Sequence, residues 1–138
     1  MDYKEFKAAV YARLDHATVG VKKIHNGGRR DISDLDDLAI RLSQHVLQLI
    51  PAKMAFRNIK DVSIYGLCVE YITDCNRCVN YEPSGVWRIS AKMLEDAGYR
   101  DLSGSFIKKG MDTAIETMDR RIDRKKDKFL DRLVKMMS

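Results

Sequence analysis

The sequence has few helix breakers and no long apolar run. Only two prolines occur in 138 residues, at positions 51 and 83, and both lie between segments of helical periodicity. No apolar run approaches the roughly 20 residues that a membrane-spanning helix needs, so we expect no membrane partner. The first residues lack the basic-then-apolar pattern of an export signal, and together these absences predict a cytoplasmic protein.

Catalytic motifs are also missing. The three histidines, at positions 16, 25 and 45, are scattered, and none has the HExxH spacing of a zinc peptidase. No GxSxG sequence occurs, and the glycines at 27–28 and 104–110 lack the order of a nucleotide-binding loop. The sequence therefore predicts a protein that is not an enzyme, with no cofactor.

The three cysteines cannot all pair within one chain, and we expect reduced thiols. Cys75 and Cys78 form a CxxC motif, and Cys68 precedes it by two helical turns. Zinc would need a fourth ligand, for which His45 or His25 is available, and a cysteine-metal protein is our third functional hypothesis. The favoured interpretation is that all three are small buried apolar side chains, because they follow an apolar helical stripe.

Helical periodicity dominates the chain and predicts an all-α fold of five to six helices. The first helix covers residues 2–25, in one piece or in two pieces bent at Gly20, and a second follows Ser33 and ends before Pro51. Further helices are expected at 52–60, from Asp61 onward and between Ser90 and Gly98, with one short β-hairpin over 79–89 as an option. The domain boundary is predicted between a helical body, 1–105, and a long C-terminal helix, 106–138.

The last helix has an apolar stripe that repeats every eleven residues, through Met111, Ile122 and Leu133 for example. This spacing keeps the stripe nearly straight along the helix. Unbroken over 106–137, the helix would extend about 48 Å, more than the diameter of about 37 Å expected for a compact body of this length.

The end of that helix is its most apolar part, and we expect another molecule to cover it. A homo-oligomer is the favoured partner. The alternative is a break near Lys125 and Lys126 that folds the end back onto its own core. The predicted association residues are Met118, Ile122, Phe129, Leu130, Leu133, Met136 and Met137.

Basic residues cluster twice, around the turn at 27–28 and over 120–128, where six cations accompany two aspartates. The segments 31–50 and 61–82 are acidic, each with four acids and one base. The predicted contacts to a polyanion are Lys22, Lys23, Arg29, Arg30, Arg120, Arg121, Arg124, Lys125 and Lys128.

These features predict a non-enzymatic binding or regulatory protein. It self-associates through its C-terminal helix and presents a basic surface to nucleic acid, mostly through phosphate contacts. The alternative is an adaptor or inhibitor whose basic face binds an acidic protein.

Overall fold

The fold is all-α. The computed structural model describes residues 2–26, 32–51, 61–79, 92–93 and 95–137, and within these ranges it has four helices and no strand. They are α1 (Tyr3–Asn26), α2 (Ile32–Leu49), α3 (Asp61–Val79) and α4 (Arg100–Met137). This number differs from the five to six helices expected for the whole chain. Of the short helix expected between Ser90 and Gly98, residues 92–93 and 95–96 are helical. None of these four helices combines the length and the apolarity that a bilayer crossing requires.

Helix α1 is continuous, so the alternative of two pieces bent at Gly20 is wrong. Gly20 instead allows a close approach of α2, since a Cβ atom at this position would lie 2.8 Å from Cδ2 of Leu38. Helix α1 ends at Asn26, one residue after the predicted end at 25, and α2 ends before Pro51 as predicted. Ser33, predicted to precede α2, is its second residue.

The optional hairpin over 79–89 is not confirmed: Val79 is the last residue of α3. Residues 80–89 and the short helix expected at 52–60 lie outside the described residues. The turn expected at Gly98 is confirmed, because this glycine has a φ of 91° and its amide donates to the carbonyl of Glu95.

Helix α4 begins six residues earlier than predicted and includes Ser103, Gly104 and Ser105. The hydroxyl of Ser105 donates to the carbonyl of Asp101, so this serine is satisfied within the helix. The helix has no break at Lys125 and Lys126, and the predicted boundary between 105 and 106 lies inside it.

The chain forms two compact units. Unit 1 contains residues 1–79 and 122–138, and unit 2 contains residues 80–121. In unit 1, α1, α2 and α3 pack against one another around side chains without solvent exposure, among them Val10, Leu14, Val46, Ile64 and Cys68. Residues 100–121 of α4 belong to unit 2, and the remainder of the helix belongs to unit 1.

Candidate functional site

The apolar end of α4 is part of the core of unit 1. Ile122, Phe129, Leu130 and Leu133 are at most 3% exposed, and the Phe129 ring meets Tyr71 edge-on at a centroid distance of 5.8 Å. Of the other predicted association residues, Met118, Met136 and Met137 are half-buried. The argument for self-association at this end assumed that these side chains had no cover within the chain, and their burial removes it.

Ion pairs surround this buried stripe and fix the direction of α4. Lys125 lies 3.9 Å from Asp74, and Glu70, one helical turn earlier on α3, pairs with Lys128 at 3.0 Å and with Arg132. As the contact residues on α4 increase in number from 125 to 132, their partners on α3 decrease in number from 74 to 70, so these parts of the two helices are antiparallel.

The same direction holds against α1. Lys126 pairs with Asp15, and the hydroxyl of Tyr11 donates to Asp127 one residue later. Residues 122–137 of α4 therefore lie antiparallel to both α1 and α3. On α3, Glu70 and Asp74 of the acidic segment are paired with Lys128 and Lys125 of the basic segment 120–128. The sequence had suggested that these two segments form separate surfaces.

The charged states follow from these contacts. The hydrogen bond from Lys128, assisted by Arg132, lowers the pKa of Glu70 and outweighs its partial burial. Burial acts to lower the pKa of Lys126, but its hydrogen bonds to Asp15 and Asp123 raise the pKa overall. The pKa of Tyr11 is raised by burial and by Asp127, which accepts its proton in a hydrogen bond. The lysine and the glutamate are therefore held charged in their pairs.

The predicted polyanion contacts are only partly available in the structure. Lys125 and Lys128 pair with α3, and Arg120 lies 3.4 Å from Glu116 on its own helix. Lys23, Arg120, Arg121, Arg124 and Lys128 are exposed, whereas Lys22 and Lys125 are half-buried. Arg29 and Arg30 lie outside the described residues.

A small depression between α3 and α4 lies in unit 1. Its apolar floor includes Tyr71 and Phe129, and its rim includes Glu70, Lys128 and Arg132. About 10 Å³ remains there, the space of a single water molecule. The ion pairs described above occupy its rim, so this depression is not a small-molecule site.

All three cysteines are free and buried. Burial raises the pKa of Cys68 to about 12 and also raises the pKa of Cys75. The hydroxyl of Thr18 lies 2.8 Å from that of Tyr71 and 3.8 Å from Sγ of Cys75, and it donates to the carbonyl of Leu14. This buried polar contact joins α1 to α3 and was not predicted. Over the residues that the structure describes, no three metal-ligating side chains gather into a site.

The exposed apolar residues of α4 lie in unit 2. Met111 is 54% exposed and Ile115 is 52% exposed, although the next two members of the eleven-residue row of Met111, Ile122 and Leu133, are buried. Another side of the same helical segment is covered, since Ser103 and Gly110 are buried. The sequence had identified this stripe, but the predicted association residues lie at its other end.

Comparison with known proteins gives no further guide: the chain matches no protein-family model, and no curated protein or solved structure is significantly similar to it.

Proposed function

We propose that this protein is a non-enzymatic binding protein that self-associates through residues 108–119 of α4, hereafter the association segment. The association segment belongs to the same helix as residues 122–137, which are part of unit 1. The observation that carries the proposal is the exposure of Met111 and Ile115, two apolar residues one helical turn apart, in the part of α4 that precedes the buried Ile122. Neighbouring large apolar side chains exposed on one helix face are typical of interaction sites.

The available apolar area limits the strength of this association. Fully burying one such side chain contributes about 1.5–3 kcal/mol, and Met111 and Ile115 are already about half covered. Four side chains in a pair therefore contribute roughly 3–6 kcal/mol, against an association cost of at least about 4 kcal/mol. The apolar contacts leave at most about 2 kcal/mol, whereas a millimolar pair needs roughly 4 kcal/mol, so we expect a pair of millimolar or weaker affinity in which polar contacts contribute the difference.

Sedimentation equilibrium over about 10 μM to about 1 mM, a range suited to weak pairs, tests the proposal. The mean mass of the intact chain should rise above that of the monomer toward the upper end of this range, and the double variant Met111→Lys, Ile115→Lys should stay monomeric. Val62→Lys is a matched control because Val62, on α3, is 79% exposed and lies outside the association segment. A monomeric intact chain, or equal loss in the control, would contradict the proposal.

A polyanion contact is the second candidate function, and one feature of unit 1 favours it. Because α4 is antiparallel to α1 and α3, the C-terminal ends of α1 and α3 lie near the residue 122–124 end of this α4 segment. Lys23, Arg77 and Arg124 are exposed at this end of the unit. Phosphates bound there would release counterions, so binding should weaken as salt increases.

Binding of a labelled single-stranded oligonucleotide, measured by fluorescence anisotropy over a salt series, tests this candidate. Lys23→Glu with Arg124→Glu should weaken binding, whereas Lys4→Glu, an exposed position near the other end of α1, should not. Salt-independent binding, or equal weakening by the control, would contradict it. Loss of binding to an acidic protein but not to the oligonucleotide would favour the adaptor hypothesis.

A further inference from the structure

We infer that the phosphate backbone of a single-stranded nucleic acid binds along one flank of α4, from Arg124 to Lys135. This inference rests on the proposed polyanion contact at the end of unit 1 and extends that contact along the helix. The cations that carry it, hereafter the cationic row, are exposed side chains on the flank of α4 beside α3, namely Arg124, Lys128, Arg132 and Lys135.

The charges of residues 122–137 are separated onto two flanks of the helix. At about 100° per residue, the members of the cationic row lie within about 80° of one another, and the three acids of this segment are centred about a quarter turn away. Asp127 accepts a hydrogen bond from Tyr11 of α1, and Asp131 is near enough to contribute to the raised pKa of Tyr11. Asp123 pairs with Lys126, which also pairs with α1. The acids therefore lie toward α1, and the flank beside α3 carries charge of one sign.

Helix α3 neutralises only part of this charge. Glu70 pairs with Lys128 and Arg132, and Asp74 lies 3.9 Å from Lys125. Residues 62–69, which lie toward the Lys135 end of the row because the helices are antiparallel, contain no charged side chain. With Lys125 included, five cations of α4 face two carboxylates of α3, and three positive charges remain for a ligand.

The surface beside the row favours a phosphate backbone over an acidic protein. The depression between α3 and α4 retains about 10 Å³, so it cannot receive the anchoring side chain on which a protein interface depends. The row extends about 17 Å, the length of about five phosphates of one strand. Phosphate contacts need exposed cations in a line and no pocket for a base.

The three remaining charges set the salt dependence of binding. Each neutralised phosphate of a single strand contributes about 0.7 to the slope of log affinity against log salt, so the slope should be about −2. The affinity should then decrease about 18-fold between roughly 50 and 200 mM salt.

Fluorescence anisotropy of a labelled oligonucleotide of about twelve thymidines measures this slope on the intact chain. The double variant Arg124→Gln, Lys135→Gln removes two charges from the row, so its affinity should decrease only about threefold over the same salt range. Arg13→Gln with Arg41→Gln is the matched control, because both arginines are exposed and lie on α1 and α2, outside the row. An equal loss in the control would overturn the inference.

Removal of the competing carboxylate gives a test of opposite sign. Glu70→Gln releases Lys128 and Arg132, so binding should strengthen about fivefold at about 100 mM salt, the contribution of one more phosphate contact. Lower stability cannot produce this result, since a smaller folded fraction weakens the apparent affinity. Glu5→Gln removes the same charge from an exposed position on α1 and should change the affinity less. Unchanged or weaker binding by Glu70→Gln would overturn the inference.

The outcomes separate the row from the contact on which it rests. If Lys23→Glu with Arg124→Glu weakens binding but Lys135→Gln does not, the contact is confined to the end of unit 1 and the row is overturned. If the oligonucleotide does not bind at about 50 mM salt, both are overturned. If polyglutamate binds and the oligonucleotide does not, the partner is an acidic protein and the nucleic-acid inference is overturned.

Discussion

Truncation of Phe129 to alanine tests whether the end of α4 belongs to the core of its own chain. The side chain is 2% exposed, and its ring packs edge-on against Tyr71. Removing a buried phenylalanine costs about 3–5 kcal/mol, of which about 0.5–1.5 kcal/mol belongs to the aromatic pair. A chain of this length is stable by roughly 7–20 kcal/mol, so the loss is a large part of the total.

Urea denaturation followed by circular dichroism measures this loss. With a slope of about 2 kcal/mol per molar urea, the midpoint should decrease by about 2 M. Ile115→Ala is the matched control on the same helix, and it should cost less than about 1 kcal/mol because Ile115 is 52% exposed. The reasoning is refuted if Phe129→Ala costs no more than this control.

Protein concentration separates a core position from an interface position. If Phe129 packs within its own chain, the stability difference between the variant and the intact protein is the same at low and at high concentration. If another molecule covers it, the difference decreases as the protein is diluted and the pair dissociates. If the stability difference between Phe129→Ala and the intact protein depends on protein concentration, the association site lies at the end of α4, as the sequence predicted.

Three further results are expected. Gly66→Ala should raise the free energy of unfolding by about 0.5–1 kcal/mol, because a helical Cβ there meets nothing within 4 Å. Gly20→Ala should give no such gain, since a Cβ atom there would be crowded by Leu38 of α2. If thermal denaturation shows an equal gain in stability for the two variants, α1 and α2 are further apart than the structure has them. Glu70→Gln should cost about 1 kcal/mol at neutral pH, a value that allows for solvent screening. Because ion pairing lowers the pKa of Glu70, its contribution is present above the ordinary glutamate pKa and is lost as the pH falls through the lowered value. Urea titrations of both proteins should therefore converge in acid, and a constant difference would contradict the pairing. At pH 7 the thiol of Cys68 should not react with a disulfide reagent until urea unfolds the chain, because its pKa is about 12; fast labelling of the native protein would contradict its burial.

The ends of the helices were predictable where a residue imposes a local constraint. Asn26 and Pro51 mark the ends of α1 and α2 because they favour or force a departure from helical geometry. The start of α4 was not predictable in this way. The predicted start at residue 106 placed Ser105 before the helix. In the structure Ser105 is helical, and its hydroxyl donates to the carbonyl of Asp101. The residue with a left-handed conformation before α4 is Gly98.

The position of the interaction surface could not be obtained from the sequence. Periodicity identifies the face of α4 that is apolar, but it does not show which part of that face the rest of the chain covers. The crowding of apolar residues near Phe129 suggested an uncovered end, whereas it reflects a core position. The exposed part of that face contains Met111 and Ile115, where apolar residues are fewer along the helix.

Charge had the same limitation. The sequence shows that residues 120–128 are basic and that α3 is acidic, but pairing depends on which side chains the fold brings together. Glu70 contacts Lys128 and Arg132, and Asp74 lies near Lys125. The positive charge available to a polyanion is therefore smaller than the sequence count, and a reversal of Lys128 would destabilise unit 1 in addition to changing the surface charge.

The eleven-residue repeat links folding to the proposed association in a single helix. Met111 and Ile122 are separated by three helical turns, so both lie on the same line along α4. Only Ile122 is buried, at 2% exposure, and only Met111 is uncovered. A polar substitution at Ile122 should therefore reduce stability, whereas under the proposed association the same change at Met111 should reduce pairing without affecting the fold. The two effects can be separated because unit 1 covers α4 only from residue 122 onward, which leaves the earlier part of the same stripe exposed at Met111.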